Sequence, residues 1–132
     1  MFKISEIAPD VYRISVFVKE FNLQFNHFLI KDDEPMLFHS GMKSMFPVLT
    51  EAVNKIISVA QIKWIGFSHF EVDECGGLNE WVQVAPNASA ICSDLGAIIN
   101  IQYYSIRRPH AMAVNAFLKT GKYSFRFMKT HH

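Results

Sequence analysis

Within five residues, His69, Glu71 and Asp73 present one imidazole and two carboxylates in the order His-x-Glu-x-Asp. Nitrogen and oxygen donors of this kind suit iron, manganese or zinc, and the preponderance of carboxylate favours iron or manganese. In a straight strand alternate residues share a face, but at roughly 3.3 Å per residue the outer two donors would stand about 13 Å apart. One ion cannot span that distance. The pattern supports metal chemistry only where the chain curls after His69, which Gly76-Gly77 and the onset of a helix permit. The competing reading is a polar loop in which His69 bonds to backbone and the acids are solvated or cap the following helix.

The elements on either side must position these donors. The run Ile62-Lys63-Trp64-Ile65-Gly66-Phe67 is apolar nearly throughout, as expected of a central strand covered on both faces, and it delivers His69 at its carboxyl end. An apolar-patterned segment from Leu78 to Val84 follows and predicts a short helix closed before Pro86. Upstream, Pro9-Asp10 marks a turn, Val11, Ile14, Val16 and Val18 predict a strand, and Phe25 to Ile30 predict a second. Lys31 to Pro35 turns the chain before Met36-Leu37-Phe38, giving a hairpin in a meander. His27 falls inside this pattern as a surface or half-buried strand residue rather than a ligand. His39 ends its strand.

Met45 to Ile57 has helical spacing, with Ser44 as its cap and Pro47 in its first turn. Ala88 to Cys92 predicts a further strand, and Ser93-Asp94 starts a helix running to about Ile101. Arg107-Arg108-Pro109-His110 then breaks the chain, with the arginines read as a solvated pair and His110 as a capping or loop residue. Ala111 to Leu118 is read as helical, and Lys119 to Lys122 turns into a last strand, Tyr123 to Phe127. Strand, helix, strand, helix is the rhythm of an α/β fold.

A chain of 132 residues fits one domain, and 50% hydrophobic with 14% aromatic content is ample for a packed core. The near balance of 13 basic and 12 acidic side chains creates no large field, so neither nucleic acid nor an anionic membrane is an expected partner. No apolar run approaches the roughly eighteen residues of a membrane span, and Met1 to Glu6 lacks a signal-peptide pattern, so a cytoplasmic location is expected. Cys75 and Cys92 are too few for a disulfide framework or a zinc knuckle and are read as reduced thiols.

A strand, then His69-Phe70-Glu71-Val72-Asp73, then Cys75-Gly76-Gly77-Leu78-Asn79, resembles the metal loop of the metallo-β-lactamase superfamily. Hydrolases of that superfamily carry HxHxDH here and its flavodiiron branch carries HxExDH, so Glu71 aligns this chain with the flavodiiron side. The closing His is replaced by Glu74. This HxExDE form, with Phe38-His39-Ser40-Gly41-Met42-Lys43-Ser44-Met45-Phe46-Pro47 upstream, is similar to flavin-free oxygen-binding diiron proteins found beside bacterial chemotaxis systems.

The resemblance runs from near residue 1 to the end and implies an α/β fold. That fold is the N-terminal half of a metallo-β-lactamase-like αβ/βα sandwich, a mixed sheet with helices, with residues 1–132 forming a single, truncated domain. It implies that His69 and Glu71 hold one iron and Asp73 the second, with His39 and Glu74 tuning them from outside the ligand set. The family's next His, its bridging carboxylate and its last His would lie beyond residue 132, and His131 and His132 fall a few residues short of the first of these. Two irons binding dioxygen are thus expected in a complete site. The likeness to flavin-free proteins implies that no flavin domain supplies electrons, which favours binding or sensing dioxygen over sustained reduction.

A chemotaxis or redox partner is implied, and the sheet face that a half-domain exposes is expected to be covered in a homo-oligomer, or else the polypeptide is truncated or cleaved from a longer parent. Two alternatives stand beside this reading. One is a hydrolase using a zinc-activated hydroxide, against which Glu71 counts. The other is a metal-free remnant acting as an interaction module.

Overall fold

Short turns between strands with one apolar face give an antiparallel meander, and the computed structural model, which describes residues 1–129 apart from positions 94 and 96, begins with one. Strands β1 (Phe2–Ala8), β2 (Val11–Val18), β3 (Leu23–Ile30) and β4 (Met36–Phe38) pair antiparallel in sequence order. Asp10 and Asn22 adopt left-handed backbone at the first two turns, with φ of 59° and 50°. Short polar side chains tolerate that region better than most, which suits them to such turns.

From β4 onward the sheet becomes parallel. Strands β5 (Trp64–Gly66), β6 (Ser89–Ser93) and β7 (His110–Met112) add one after another, giving the order β1-β2-β3-β4-β5-β6-β7. Parallel neighbours need crossovers, and helices supply them. Helix α1 (Phe46–Asn54) joins β4 to β5, and helices α2 (Val72–Cys75) and α3 (Leu78–Val84) join β5 to β6. A π-helical segment Ala97–Ile101 continues into helix α4 (Gln102–Tyr104) before β7. Strands β8 (Phe117–Lys119) and β9 (Ser124–Arg126) form a separate two-stranded antiparallel sheet.

The two faces of the large sheet are buried by different means. On the helix side, Leu49, Leu78 and Trp81 meet Ile14, Leu29 and Ile65, all fully buried. Each such aliphatic side chain contributes about 1.5–3 kcal/mol by leaving water. On the other side, Ile30, Met36, Trp64 and Ile91 are covered by Leu118, Phe125 and Phe127 of the β8–β9 region. That hairpin is fastened at its turn by Asp32, whose carboxylate accepts the N–H groups of Lys122 and Tyr123 and the Thr120 hydroxyl at 3.0, 2.9 and 2.9 Å. Lys122 also pairs with Asp10, and the Tyr123 hydroxyl donates to the Pro9 carbonyl.

Several expectations are corrected. The segment expected as a helix over Ala111 to Leu118 contains strands β7 and β8 instead, because β6 pairs Ile91, Cys92 and Ser93 with His110, Ala111 and Met112. Asn115, at φ 68°, lies in left-handed backbone that a right-handed helix excludes. His110 is a strand residue rather than a cap, its ring meeting Trp64 edge-on at 5.2 Å. Arg107 is not solvated, since its guanidinium donates to the carbonyls of Ala85 and Ala88 at 2.9 and 2.6 Å. His27 is buried, 1% exposed, rather than at or near the surface.

Helix α1 begins after a 3-10 turn, Lys43–Met45, so Ser44 does not cap it, while Pro47 takes its first turn as expected. Asp94, His131 and His132 lie outside the described residues. Cys75 and Cys92 are free thiols, both buried. Among the described residues no helix is long and apolar enough to cross a membrane.

Candidate metal centre

The carboxyl ends of β4 and β5 are neighbours because the two strands pair in parallel, Phe38 opposite Gly66. Each strand leads into a residue of the site. After Phe38 comes His39, whose N–H still bonds to the Gly66 carbonyl at 2.9 Å while its φ of 64° turns the chain out of the sheet. After Gly66 come Phe67, Ser68 and His69. Glu71 is the extended N-cap residue of α2, and Asp73 and Glu74 occupy the helix's first turn, where acidic side chains suit the exposed N–H groups. The chain thus leaves the sheet after β5 and enters a helix at Val72.

The turn at residues 39–41 is held on every side. The His39 carbonyl accepts from His27 Nδ1 at 2.8 Å, the Ser40 carbonyl from Trp81 Nε1 at 2.9 Å, and the Gly41 carbonyl from Gly77 N–H at 2.8 Å. Ser40 returns the connection, donating both its N–H and its hydroxyl to the Glu74 carbonyl at 2.7 and 3.2 Å. Gly41 has φ 82°, and a Cβ there would stand 2.7 Å from Leu49 Cδ1 and 3.1 Å from His27 Cε1. Only glycine fits both the conformation and the space.

Glu74 is the hub. Its Oε2 accepts the N–H groups of Ser68 and His69 at 2.9 and 2.5 Å and stands 3.4 Å from His39 Nε2. Its Oε1 lies 3.6 Å from His69 Nδ1. His39 Nε2 is also 3.4 Å from the Ser68 hydroxyl, and its ring stacks on Phe38 at 4.5 Å. The structure therefore brings His39, His69 and Glu74 together. It does not bring His69, Glu71 and Asp73 to one point. Glu71 is exposed, and the charge of Asp73 is felt at His27 and Cys75.

Burial lowers the pKa of His27, and the charge of His39 adds to this, while the backbone bond to His39 and the charge of Asp73 act against it. Burial pushes the Cys75 thiol up to about 11, with Glu74, Asp73 and Cys92 adding to the rise and a hydrogen bond to the Glu71 carbonyl opposing it. Cys75 is thus a neutral thiol at ordinary pH and not a thiolate donor.

His69 and Ser68 also line a cleft of about 740 Å³ whose walls include Phe38, Phe67, Ile91 and Phe127. An apolar wall beside a cluster of polar groups is the usual setting of a small-molecule site. Among the described residues no three His, Cys, Asp or Glu side chains converge closely enough to hold one ion. The donors thus fit an iron centre in chemical kind and in position at the sheet's carboxyl edge, and they fall short of one in number and convergence.

No spacing rule points to His27 as a site residue, because its link to the site is a bond to a backbone carbonyl.

The ODP family beta lactamases match this chain over residues 23–132. The flavo-diiron protein FprA2 of Clostridium acetobutylicum is 25% identical over 99 residues, which make up 74% of this chain and 25% of that protein. Among solved structures, the rubredoxin oxygen:oxidoreductase of Desulfovibrio gigas superposes with a TM-score of 0.80 at 16% identity, over 92% of this chain and 34% of the other. The flavodiiron protein of Giardia intestinalis gives 0.77 at 18% identity, over 94% of this chain and 33% of the other. The mixed sheet with its helices is thus the metallo-β-lactamase-like fold of flavodiiron proteins, and the chain spans about a quarter of the length of the curated relative it matches.

Proposed function

This chain belongs to the ODP beta lactamase family, and on that premise we propose that it contributes the first ligands of a non-haem diiron centre that binds or senses dioxygen. The observation that carries the reading is the position of the His69-Glu71-Asp73 loop. It leaves the carboxyl end of central strand β5 beside His39, at the mouth of an apolar cleft, within the residues the family matches.

His69 and Glu71 would hold one iron and Asp73 the other, and bound ferrous iron would supply an open coordination position for dioxygen together with the electrons that redox-inert zinc cannot give. The chain's own residues prepare the place. Glu74 fixes the loop backbone at Ser68 and His69 and faces His69 Nδ1. Orientation of a ligand imidazole through its second nitrogen leaves Nε2 for the metal, an arrangement common around metal-bound histidines. The apolar wall of Phe38, Phe67 and Phe127 limits water and suits a small, neutral ligand. Three donors cannot fill two coordination spheres, so the proposal includes further donors beyond His69, Glu71 and Asp73, from a continuation of the same polypeptide or from a second copy in a homo-oligomer.

The test is metal content per chain after anaerobic purification with ferrous iron, comparing the chain with Glu71→Ala. Near-stoichiometric iron that the substitution abolishes supports the reading, and oxygen titration of the loaded protein follows. Background iron in both overturns it in favour of a metal-free interaction module. Zinc retained together with esterase activity overturns it in favour of a hydrolase.

A further inference from the structure

On strand β3, His27 sits opposite Ile14, a fully buried residue, and is itself 1% exposed. Its Nδ1 lies 2.8 Å from the His39 carbonyl oxygen, which can only accept. Nδ1 therefore carries the proton, and in the neutral ring Nε2 is left as a bare acceptor. That atom is buried and has no hydrogen-bond partner among the described residues. Buried polar atoms are nearly always satisfied, so an imidazole with one orphaned nitrogen at a core position calls for an explanation. An apolar side chain would fill the same space against Leu49 and Gly41 without leaving an acceptor unpaired.

The explanation lies in the bond it does make. His39 holds φ 64°, a region that side chains other than glycine enter rarely, and the surrounding structure must enforce it. Of the three consecutive carbonyls in this turn, Ser40 and Gly41 are held by Trp81 and Gly77 of the α3 region, whereas His39 is held by His27. His39 is also the turn residue whose ring stands 3.4 Å from both Glu74 Oε2 and the Ser68 hydroxyl.

We infer that His27 is a positioning residue: its Nδ1–H bond to the His39 carbonyl fixes the left-handed turn and so sets the His39 imidazole against Glu74 and Ser68. The line His27, His39, Glu74, His69 runs from the core to the edge of the cleft. The geometric part of this inference stands on the contacts alone, and its consequence for metal binding rests on the reading proposed above.

The test uses His27→Asn, His27→Gln and His27→Leu in the full chain. Asparagine places an amide donor near the position of Nδ1, glutamine places one near Nε2, and leucine offers none. The first readout is made with chelator present: nuclear Overhauser contacts between the His39 ring and Ser68, with far-UV circular dichroism as the check on folding. His27→Asn is expected to retain these contacts, whereas His27→Leu stays folded and loses them. The second readout is ferrous or cobaltous ion affinity by competition, expected to fall at least about tenfold in His27→Leu and to stay within about threefold in His27→Asn, a range typical of orienting residues around metals.

Contacts in His27→Leu equal to the wild type, or loss in the asparagine and leucine variants alike, would overturn the inference. Where leucine prevents folding, the comparison of glutamine with asparagine decides: loss of the contacts only in glutamine supports it, and equal behaviour overturns it. Wild-type protein that takes up no metal sinks the proposed function, while the Overhauser contacts still judge His27.

Discussion

Glu74 Oε2 stands 3.4 Å from His39 Nε2 while accepting the N–H groups of Ser68 and His69, so a single carboxylate oxygen joins the ends of two neighbouring strands. Its side chain is only 12% exposed, which leaves water little access to replace it. Glu74→Ala is expected to destabilise the chain by about 1–2 kcal/mol, because two backbone donors lose a charged acceptor. Glu74→Gln, which keeps one acceptor oxygen, loses less. Urea denaturation with chelator present measures both, and an unchanged midpoint in the alanine variant would show that the loop is held by other means.

Asp32 fastens the β8–β9 turn to the β3–β4 turn, and its pKa carries a pH dependence. Burial on its own would raise the value, but hydrogen bonds from Tyr123, Lys122, Asp33 and Thr120 outweigh it and bring the carboxyl from 3.8 down to about 2. A carboxyl with a depressed folded-state pKa stabilises the fold above its unfolded value and loses that contribution as pH falls through the folded one. The loss attributable to Asp32 therefore lies between roughly pH 4 and pH 2. Asp32→Asn should be less stable than wild type at pH 6, with the difference shrinking towards zero at the acid end. Parallel stability curves across that window would contradict the assignment.

Cys75 is 2% exposed and its thiol is pushed up to about 11. Both properties suppress thiolate reactivity. A disulfide reagent at pH 7.5 should label Cys75 at the rate of global unfolding and not faster, with prompt reaction only in denaturant. Rapid native labelling, located by peptide mapping, would mean that the α2 turn opens locally.

The meander and the central strand are legible in the sequence because burial and alternation agree there. Strand β2 has the predicted bounds, and the apolar run Ile62 to Phe67 contains the shorter β5, whose Trp64, Ile65 and Gly66 are all buried. Strand β1 escapes notice because it is an edge strand with no fully buried residue, so its pattern is weak. Ala111 to Leu118 misleads for the opposite reason. Alanine, methionine and leucine favour a helix locally, and pairing with β6 overrides that preference.

The loop bearing His69, Glu71 and Asp73 is legible as a loop at a strand's carboxyl end. What spacing alone does not reveal is that Glu74, from a helical turn, reaches back to the backbone of residues 68 and 69. The polarity of His27 suggests exposure, whereas its cross-strand partner Ile14 places it in the core.

The fastening of the β8–β9 turn also bears on the order of events in folding. Tyr123 reaches Pro9, Lys122 reaches Asp10, and Asp32 reaches Tyr123 across 114, 112 and 91 positions of sequence. Contacts this distant pay a large loop-closure entropy and raise the contact order, which slows folding. During synthesis from the amino end, the meander and the His39 turn can assemble while the hairpin is still emerging. The apolar face around Trp64 and Ile91 then stays bare until the β8–β9 hairpin arrives, which makes that interval a window of exposure to aggregation.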